Sequence, residues 1–181
     1  NFLLRNIMFK FGKIIYLLLF LGTALNLTAQ NAGHQYEQAA QRANTTREKI
    51  DLWLQAADKY MSAGKNDDAQ RVAHFAYLEA RNIGDYAIAA RAGYKTGIAY
   101  EKQADYTKAR ISYGRGKETA LQANDIDYAI KNLEKMVDMS RRQGNSADVQ
   151  VYQKEIEMLK KRKASGQKAT DPSGSITSTS P

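Results

Sequence analysis

The residues that most often carry catalysis or bind metal ions are few in this chain. His34 and His74 are its only histidines, and it has no cysteine. The lack of cysteine excludes disulfides, thiol catalysis and cysteine-ligated metals. Two isolated histidines do not form a recognisable metal-binding spacing. We therefore predict no metal ion and no other cofactor.

Pairs of acidic residues are the next candidates for catalytic groups. Glu155 and Glu157 are two positions apart, and at that spacing on a helix two side chains point in different directions. Asp67 and Asp68 are better explained as the negatively charged start of a helix. The sequence also lacks a glycine-rich phosphate loop following a strand. We therefore expect that this protein is not an enzyme.

The basic charge balance raises the question of nucleic-acid binding. The formal net charge is +8, and the pI is about 9.5. Much of the charge comes from Arg5, Lys10 and Lys13 and from the run at 160–163. Between these two ends the helices mix both signs, whereas a nucleic-acid interface needs a basic stripe that survives folding. We expect no nucleic-acid partner.

An internal repeat organises the elements that would position a site. Gly64, Ala104 and Gly144 recur at a spacing of 40 residues, since 104 − 64 and 144 − 104 are both 40. Internal repeats of this length are typical of stacked helical units. Three further sets share the register: Ala57, Gly97 and Val137; Ala69, Ala109 and Val149; Ala76, Gly116 and Ile156.

Each unit is predicted to contain two helices. The first begins after an N-cap at Thr45, Asp85 or Asp125, whose side-chain oxygen accepts a free backbone N–H. It ends near residue 63, 103 or 143, and the second helix ends near 82, 122 or 162. Asn44, Gly84 and Asn124 precede the caps, where Gly and Asn tolerate the left-handed conformation that closes a helix. Residues 34–43 match the end of an earlier second helix, giving about seven helices.

The repeat resembles the tetratricopeptide repeat (TPR). The resemblance lies in Trp53-x-x-Ala56-Ala57-x-x-Tyr60-x-x-x-Gly64 and in the matching run from Gly97 to Ala109. It covers residues 34–162, with a period longer than the family's 34 residues. It implies an all-α antiparallel helix-pair solenoid, a right-handed superhelix, in which Trp53 belongs to the core. A plain helical bundle is the alternative, although bundles seldom keep such a register.

The third unit departs from the pattern. Val137, Ser140 and Gln153 occupy positions that are normally small or aromatic. This departure fits a terminal capping repeat.

The same resemblance implies a binding surface. In TPR proteins the first helices of successive units line a concave groove that accepts extended peptides or helices. The groove implied here mixes apolar and charged side chains, and it lacks the Lys and Asn arrangement by which some family members clamp a C-terminal carboxylate. A protein or peptide partner with both kinds of side chain is expected, although a merely solvated face would have the same pattern. Carried over position by position, the groove comprises Asp51, Leu54, Asp58, Met61, Arg91, Tyr94, Ile98, Glu101, Lys131, Glu134, Asp138 and Arg141.

The N-terminal region has the composition of an export signal. Within residues 8–30, Lys10 and Lys13 precede an uncharged apolar core from Ile14 to Leu21. The segment resembles signal peptides of Bacteroidetes-type bacteria, which often end in Thr-Ala-Gln as at 28–30. Cleavage after Ala29 or Gln30 fits equally, and an uncleaved membrane anchor is the alternative. We predict a periplasmic or secreted protein.

The predicted organisation has four parts. Residues 1–7 form an upstream extension before a start at Met8, 8–30 the signal peptide, 31–163 the repeat domain and 164–181 a flexible Ser/Thr/Gly/Pro tail. The function expected is an exported, non-enzymatic TPR scaffold. The alternative is the exported N-terminal sensory segment of a larger membrane signalling protein such as a histidine kinase. Membrane contact is expected only through an uncleaved signal or a missing downstream segment, and the pattern leaves the oligomeric state open.

Overall fold

Helices supply all the regular structure of the described residues, which are 15, 21–23 and 27–166 of a computed structural model. No strand occurs among them, so the predicted all-α class is confirmed. The predicted extension 1–7, most of the signal peptide and the tail beyond residue 166 lie outside the described residues. The helices are α1 over 27–42, α2 (Thr46–Ser62), α3 (Asn66–Asn82), α4 (Tyr86–Lys102), α5 (Tyr106–Gln122), α6 (Ile126–Arg142) and α7 (Ser146–Ala164).

Short turns set the arrangement of these helices. From α2 onward, only the residues at 63–65, 83–85, 103–105, 123–125 and 143–145 separate one helix from the next. So short a connection makes neighbouring helices antiparallel. Each helix from α2 to α7 packs on its neighbour in sequence, and α4 also contacts α2 and α6. The predicted antiparallel helix-pair solenoid is confirmed, with α2, α4 and α6 side by side along one face.

Side-chain caps begin most of the helices. The predicted caps Thr45, Asp85 and Asp125 each accept a hydrogen bond from the backbone N–H three residues on, at 3.1, 3.1 and 2.9 Å. Asp105 and Asn145 cap α5 and α7 in the same way, and these two caps were not predicted. The half-unit spacing of 20 residues between Asp85, Asp105 and Asp125 is the signal that identifies them.

The turns between helices share one backbone conformation. Gly64, Gly84 and Gly144 have φ of +72°, +73° and +69°, as their type predicts, while Ala104 and Asn124 adopt the same left-handed region with φ of +58°. The predicted turn at Asn44 does lie between α1 and α2, but Asn44 does not adopt positive φ. Its N–H instead donates to the Glu48 carboxylate at 3.2 Å, while Thr45 caps the Glu48 N–H. This reciprocal capping box opens α2 without a left-handed residue.

Small residues allow close helix crossings at the positions that the repeat predicted. Ala57, Ala69 and Ala109 are fully buried. A Cβ atom added to Gly97 would lie 2.5 Å from the Cε1 atom of Tyr113, and one added to Gly93 would lie 3.0 Å from the Cα atom of Gly116. The α4–α5 crossing is therefore so close that the facing positions have no room for side chains.

Aromatic side chains fill the spaces left by the small residues. Tyr60 and Tyr113 are buried, as expected, and Trp53 is 9% exposed, so its predicted place in the core is confirmed. The ring of Trp53 contacts Phe75 with centroids 5.6 Å apart. Tyr100 is only half-buried and lies near the Nζ atom of Lys108.

Hydrogen bonds among Glu37, Tyr60 and Arg71 join α1 to the first repeat, which comprises α2 and α3. The Tyr60 hydroxyl donates to Glu37 at 2.8 Å, and Arg71 donates two hydrogen bonds to the same carboxylate at 2.6 and 3.1 Å. The hydrogen bonds from Arg71 hold the pKa of Glu37 below its usual value, against the opposing effect of burial. Gly33 lies against the Tyr60 ring, where an added Cβ atom would be 2.7 Å from Cδ1. Among the described residues of α1, Gly33 and Ala40 are buried in the core.

The last helix differs from α3 and α5 in the way a terminal repeat requires. Ala73 and Tyr113 are buried, whereas the equivalent Gln153 is exposed. Likewise Ala120 is buried and the equivalent Lys160 is exposed. Polar side chains therefore occupy the face on which another repeat would stack, as suits the outer face of a capping repeat.

Candidate protein-binding groove

The predicted groove residues all lie on α2, α4 and α6. They are spaced at three- and four-residue intervals, which places the members from each helix on one face. None of the twelve is buried. Asp51, Asp58, Arg91, Lys131, Glu134, Asp138 and Arg141 are exposed, and Leu54, Met61, Tyr94, Ile98 and Glu101 are half-buried.

Ion pairs connect the groove helices across the repeats. Lys95 on α4 pairs with Asp58 on α2, and Lys135 on α6 pairs with Glu101 on α4 at 2.9 Å. The second pair is the better shielded, with side-chain exposures of 29% and 20%. Shielding from water strengthens such a pair relative to an exposed one. These contacts keep the three helices side by side as one continuous surface.

Glu101 lies in the last turn of α4, the middle helix of the groove, and has two partners. It accepts a hydrogen bond from the buried Tyr113 hydroxyl at 2.8 Å as well as from Lys135. Burial raises the pKa of Glu101, but the hydrogen bonds from Lys135 and Tyr113 outweigh this effect and leave the pKa below its usual value. Burial and the Glu101 carboxylate together raise the pKa of Tyr113 strongly. Glu101 is therefore a stable anion whose charge is already compensated.

Three tyrosines form a cluster beside this network. The Tyr94 ring contacts Tyr113 with centroids 5.4 Å apart and Tyr128 with centroids 5.7 Å apart. The Nζ atom of Lys131 lies 4.4 Å from the Tyr94 ring centroid and 5.0 Å from that of Tyr128. Burial raises the pKa of Tyr128 to about 12 and raises the pKa of Tyr94. Both phenols are thus neutral at physiological pH.

Tyr94 has a structural role as well as a place on the surface. It is half-buried and packs against the second core cluster, together with Ile98 and Tyr128. Leu54 and Met61 pack in the same way against the first core cluster. Replacing Tyr94 would therefore affect stability in addition to any binding. Arg91 and Lys131 are exposed, so they are the better positions for testing function.

Other predicted groove residues are not brought together. Arg141 and Asp138 interact within α6 at 3.5 Å. Asp51 and Glu134 form no ion pair within the described part of the chain. The negative charges at the ends of the groove are therefore not gathered into one site.

Sequence reasoning missed three residues of this surface. Lys95 and Lys135 recur 40 residues apart, which is a signal that the repeat alignment contains. Tyr128 lies one helical turn before Lys131 and so shares its face. Extending the groove set by one turn toward the start of α6 would have included it.

The histidines and the acidic pairs lie elsewhere. His34 is exposed beside the Tyr60 ring, and half-buried His74 stacks on Tyr77 with centroids 6.1 Å apart. Burial, with a smaller effect from Arg115, lowers the pKa of His74. Glu155 accepts a hydrogen bond from Lys117 at 2.9 Å. Within the described ranges, no group of three or more His, Cys, Asp or Glu residues could hold a metal ion.

Comparison with known proteins adds no identification. No family model matches the sequence, and no curated protein is detectably similar to it. Of the helices in the described part of the chain, none has the length and apolar character needed to cross a membrane.

Proposed function

We propose that this protein is an exported, TPR-like scaffold that binds a protein or peptide partner along the face of α2, α4 and α6. The observation that supports this most directly is the accessibility of that face. Its twelve predicted contact residues stay outside the core, although the helices that carry them are packed on both sides. A continuous surface of this kind is what helical-repeat proteins use for extended binding.

The composition of the surface favours a polypeptide ligand. Tyr94, Ile98 and Leu54 offer half-buried apolar area, and Arg91 and Lys131 offer exposed charged donors. Tyrosine and arginine are enriched among the residues that dominate the free energy of protein interfaces. A partner with apolar side chains beside charged ones would match both features.

Export is the second part of the proposal. It is supported by the composition of residues 8–30, in which a basic start precedes an apolar core. Cleavage after Ala29 or Gln30 would leave the contacts of Gly33, Glu37 and Ala40 in place. The domain would thus keep residues 31–42 of its first helix after processing.

Site-specific photocrosslinking tests the binding face. A photoreactive phenylalanine analogue placed at Ile98 or at Glu134 would lie in the groove. The same analogue at Leu78 or Met158, both exposed on second helices, provides matched controls. We expect a partner in the native organism to be crosslinked from the groove positions and not from the control positions.

The outcome is readable by mass spectrometry of the adducts. Adducts formed only from Leu78 or Met158 would place binding on the opposite face and refute the proposal. Each substituted protein is first checked for an unchanged circular-dichroism spectrum, so that loss of crosslinking cannot arise from unfolding.

A further inference from the structure

The cations of the groove fall into two groups. Lys95 and Lys135 are paired with carboxylates of the preceding repeat, and Arg141 interacts with Asp138. Arg91 and Lys131 form no ion pair among the described residues. They are thus the cations of this face whose charge the fold itself does not compensate.

These two residues lie beside the same pair of aromatic rings. Lys131 lies above the Tyr128 ring at 5.0 Å from its centroid, and Arg91 lies one helical turn before Tyr94, whose ring contacts that of Tyr128. Neither Tyr94 nor Tyr128 makes a side-chain hydrogen bond within the described residues. The patch formed by Arg91, Tyr94, Tyr128 and Lys131 therefore combines two uncompensated cations with two hydroxyls that have no partner.

The carboxylates near this patch are already engaged, apart from that of Glu134. Asp125 accepts the backbone N–H of Tyr128 as the cap of α6, and Asp127 pairs with Lys163. Glu101 is bound by Lys135 and Tyr113. Glu134 lies one turn after Lys131 without an ion-pair partner among the described residues, and its charge acts on the Tyr94 hydroxyl. One free carboxylate against the two cations Arg91 and Lys131 leaves the patch positively charged. The positive end of the α6 dipole lies on the same side as the patch.

We propose that this patch anchors an acidic side chain, Asp or Glu, of the bound polypeptide. This inference rests on the proposed function and specifies the chemistry of its ligand. A carboxylate placed between Arg91 and Lys131 gains charge-assisted hydrogen bonds, which are stronger than neutral ones. The Tyr94 and Tyr128 rings would contact the apolar part of the same segment. Lys135, the next cation along α6, is already paired with Glu101, so Arg91 and Lys131 are the cations available to hold the acidic residue.

Selection from a phage-displayed library of random peptides tests the proposal. The immobilised targets are the wild type, Arg91→Glu, Lys131→Glu and Lys154→Glu. Lys154 is exposed on α7 and forms no ion pair within the described chain, so its replacement makes the same charge change outside the groove. Lys131→Met, which keeps an apolar stem against the rings, serves as the second variant.

We expect wild type and Lys154→Glu to enrich peptides with Asp or Glu beside an apolar residue. Synthetic peptides of these sequences, with amidated C-termini, should bind Arg91→Glu and Lys131→Glu with Kd raised about tenfold or more, because a charge-assisted contact is lost. Lys131→Met should weaken binding less than Lys131→Glu. Added salt should weaken wild-type binding, since screening shortens the reach of exposed charges.

Four results would overturn the inference. Enriched peptides without acidic residues, but competing with the groove crosslinks, would refute the acidic anchor and leave the proposed function intact. Binding that requires a free C-terminal carboxylate would assign the patch to a chain end instead. Acidic peptides that bind Lys131→Glu as well as they bind wild type would show that another surface holds them. An empty selection would count against both proposals.

Discussion

At the scale of single residues, Ala104 is the position whose type disagrees with its backbone. It adopts φ of +58° at a turn where Gly64, Gly84 and Gly144 occupy the equivalent places. A side chain with a Cβ atom is disfavoured in this region, by roughly 1–2 kcal/mol. The repeat therefore carries one strained turn that its neighbours avoid.

We expect Ala104→Gly to raise the free energy of unfolding by about 0.5 to 1 kcal/mol, because the relief of strain exceeds the added freedom of the unfolded chain. Urea denaturation measures the change. Gly84→Ala is the matched reverse: the added Cβ atom would meet nothing within 4 Å, so only its φ of +73° matters. Gly84→Ala should lower the free energy of unfolding by about 1 kcal/mol. A destabilised Ala104→Gly would contradict the argument.

Glu37 provides a second prediction at this scale. Its pKa in the folded protein is lowered from an ordinary value of 4.5, chiefly by the hydrogen bonds from Arg71. Between the lowered pKa of Glu37 in the folded protein and its higher pKa in the unfolded chain, the unfolded chain binds more protons at this carboxylate. Stability therefore rises with pH in that range. The contribution of Glu37 is therefore complete above about pH 4.5 and is lost as the pH falls through the lowered folded value.

We expect Glu37→Gln to melt at a lower temperature at neutral pH and to lose less stability than the wild type on acidification. Thermal melting across acidic pH measures both effects. Glu118→Gln is the control, since Glu118 is exposed on α5 and forms no ion pair within the described residues. If Glu37→Gln and the wild type declined in parallel, the triad with Tyr60 and Arg71 would not be linked to protonation.

At the scale of elements, the α4–α5 crossing depends on Gly97. Even a methyl group at this position would lie 2.5 Å from the buried Tyr113 ring. We expect Gly97→Leu to lower the free energy of unfolding by about 1–3 kcal/mol or more, because overpacking forces the helices apart. Lys102→Ala, an exposed change on the same helix, should stay within about 0.5 kcal/mol. Equal melting temperatures would show that α4 and α5 do not cross at Gly97.

The boundaries of the helices were predictable because several independent features of the sequence indicate the same positions. The 40-residue register, the caps at Thr45, Asp85 and Asp125 and the glycine turns all place the same boundaries. The failure at Asn44 is instructive, since Asn permits a left-handed turn without requiring one. There the Glu48 side chain offered the backbone N–H a competing partner.

The contacts between repeats were not predictable from the same register. Lys135 reaches Glu101, 34 positions earlier, and Lys95 reaches Asp58, 37 positions earlier. Neither offset equals the 40-residue repeat length, so each contact joins side chains that are out of register by about two turns or one turn of helix. The groove residues could therefore be named from the repeat, whereas the anchor formed by Arg91, Tyr128 and Lys131 required the packed helices.

At the scale of the whole molecule, export is the prediction with the most direct measurement. We expect the mature protein to lack residues 1–29 or 1–30 and to be recovered from the periplasm or the medium. N-terminal sequencing of protein purified from its native organism identifies the first residue. A soluble cytoplasmic protein that retains Met8 would contradict the prediction.

The two ends of the helical domain differ in how their terminal helices pack. This difference determines which residues can be deleted without loss of stability. At the far end α7 presents the polar Gln153 and Lys160. At the near end α1 covers Tyr60, which is 1% exposed, and holds Arg71 through Glu37. In a solenoid each unit is stabilised mainly by its neighbours, so a lost terminal helix exposes the next one.

Removing residues 1–30 should therefore leave the melting temperature of the helical domain unchanged, because it retains Gly33, Glu37 and Ala40, through which α1 packs on the first repeat. Removing residues 1–43 should instead cost several kcal/mol. Burial of a large side chain such as Tyr60 contributes about 1.5–3 kcal/mol, and the Arg71 charge would lose Glu37, its better-shielded partner. Circular-dichroism melting of the two truncated proteins compares these cases directly.

If both truncated proteins melted alike, α1 would not stabilise the fold, and the repeat domain would begin at α2 rather than at residue 31. If the shorter truncation also melted early, residues before Gly33 would have to stabilise the fold, and removal of the signal would not leave a complete domain.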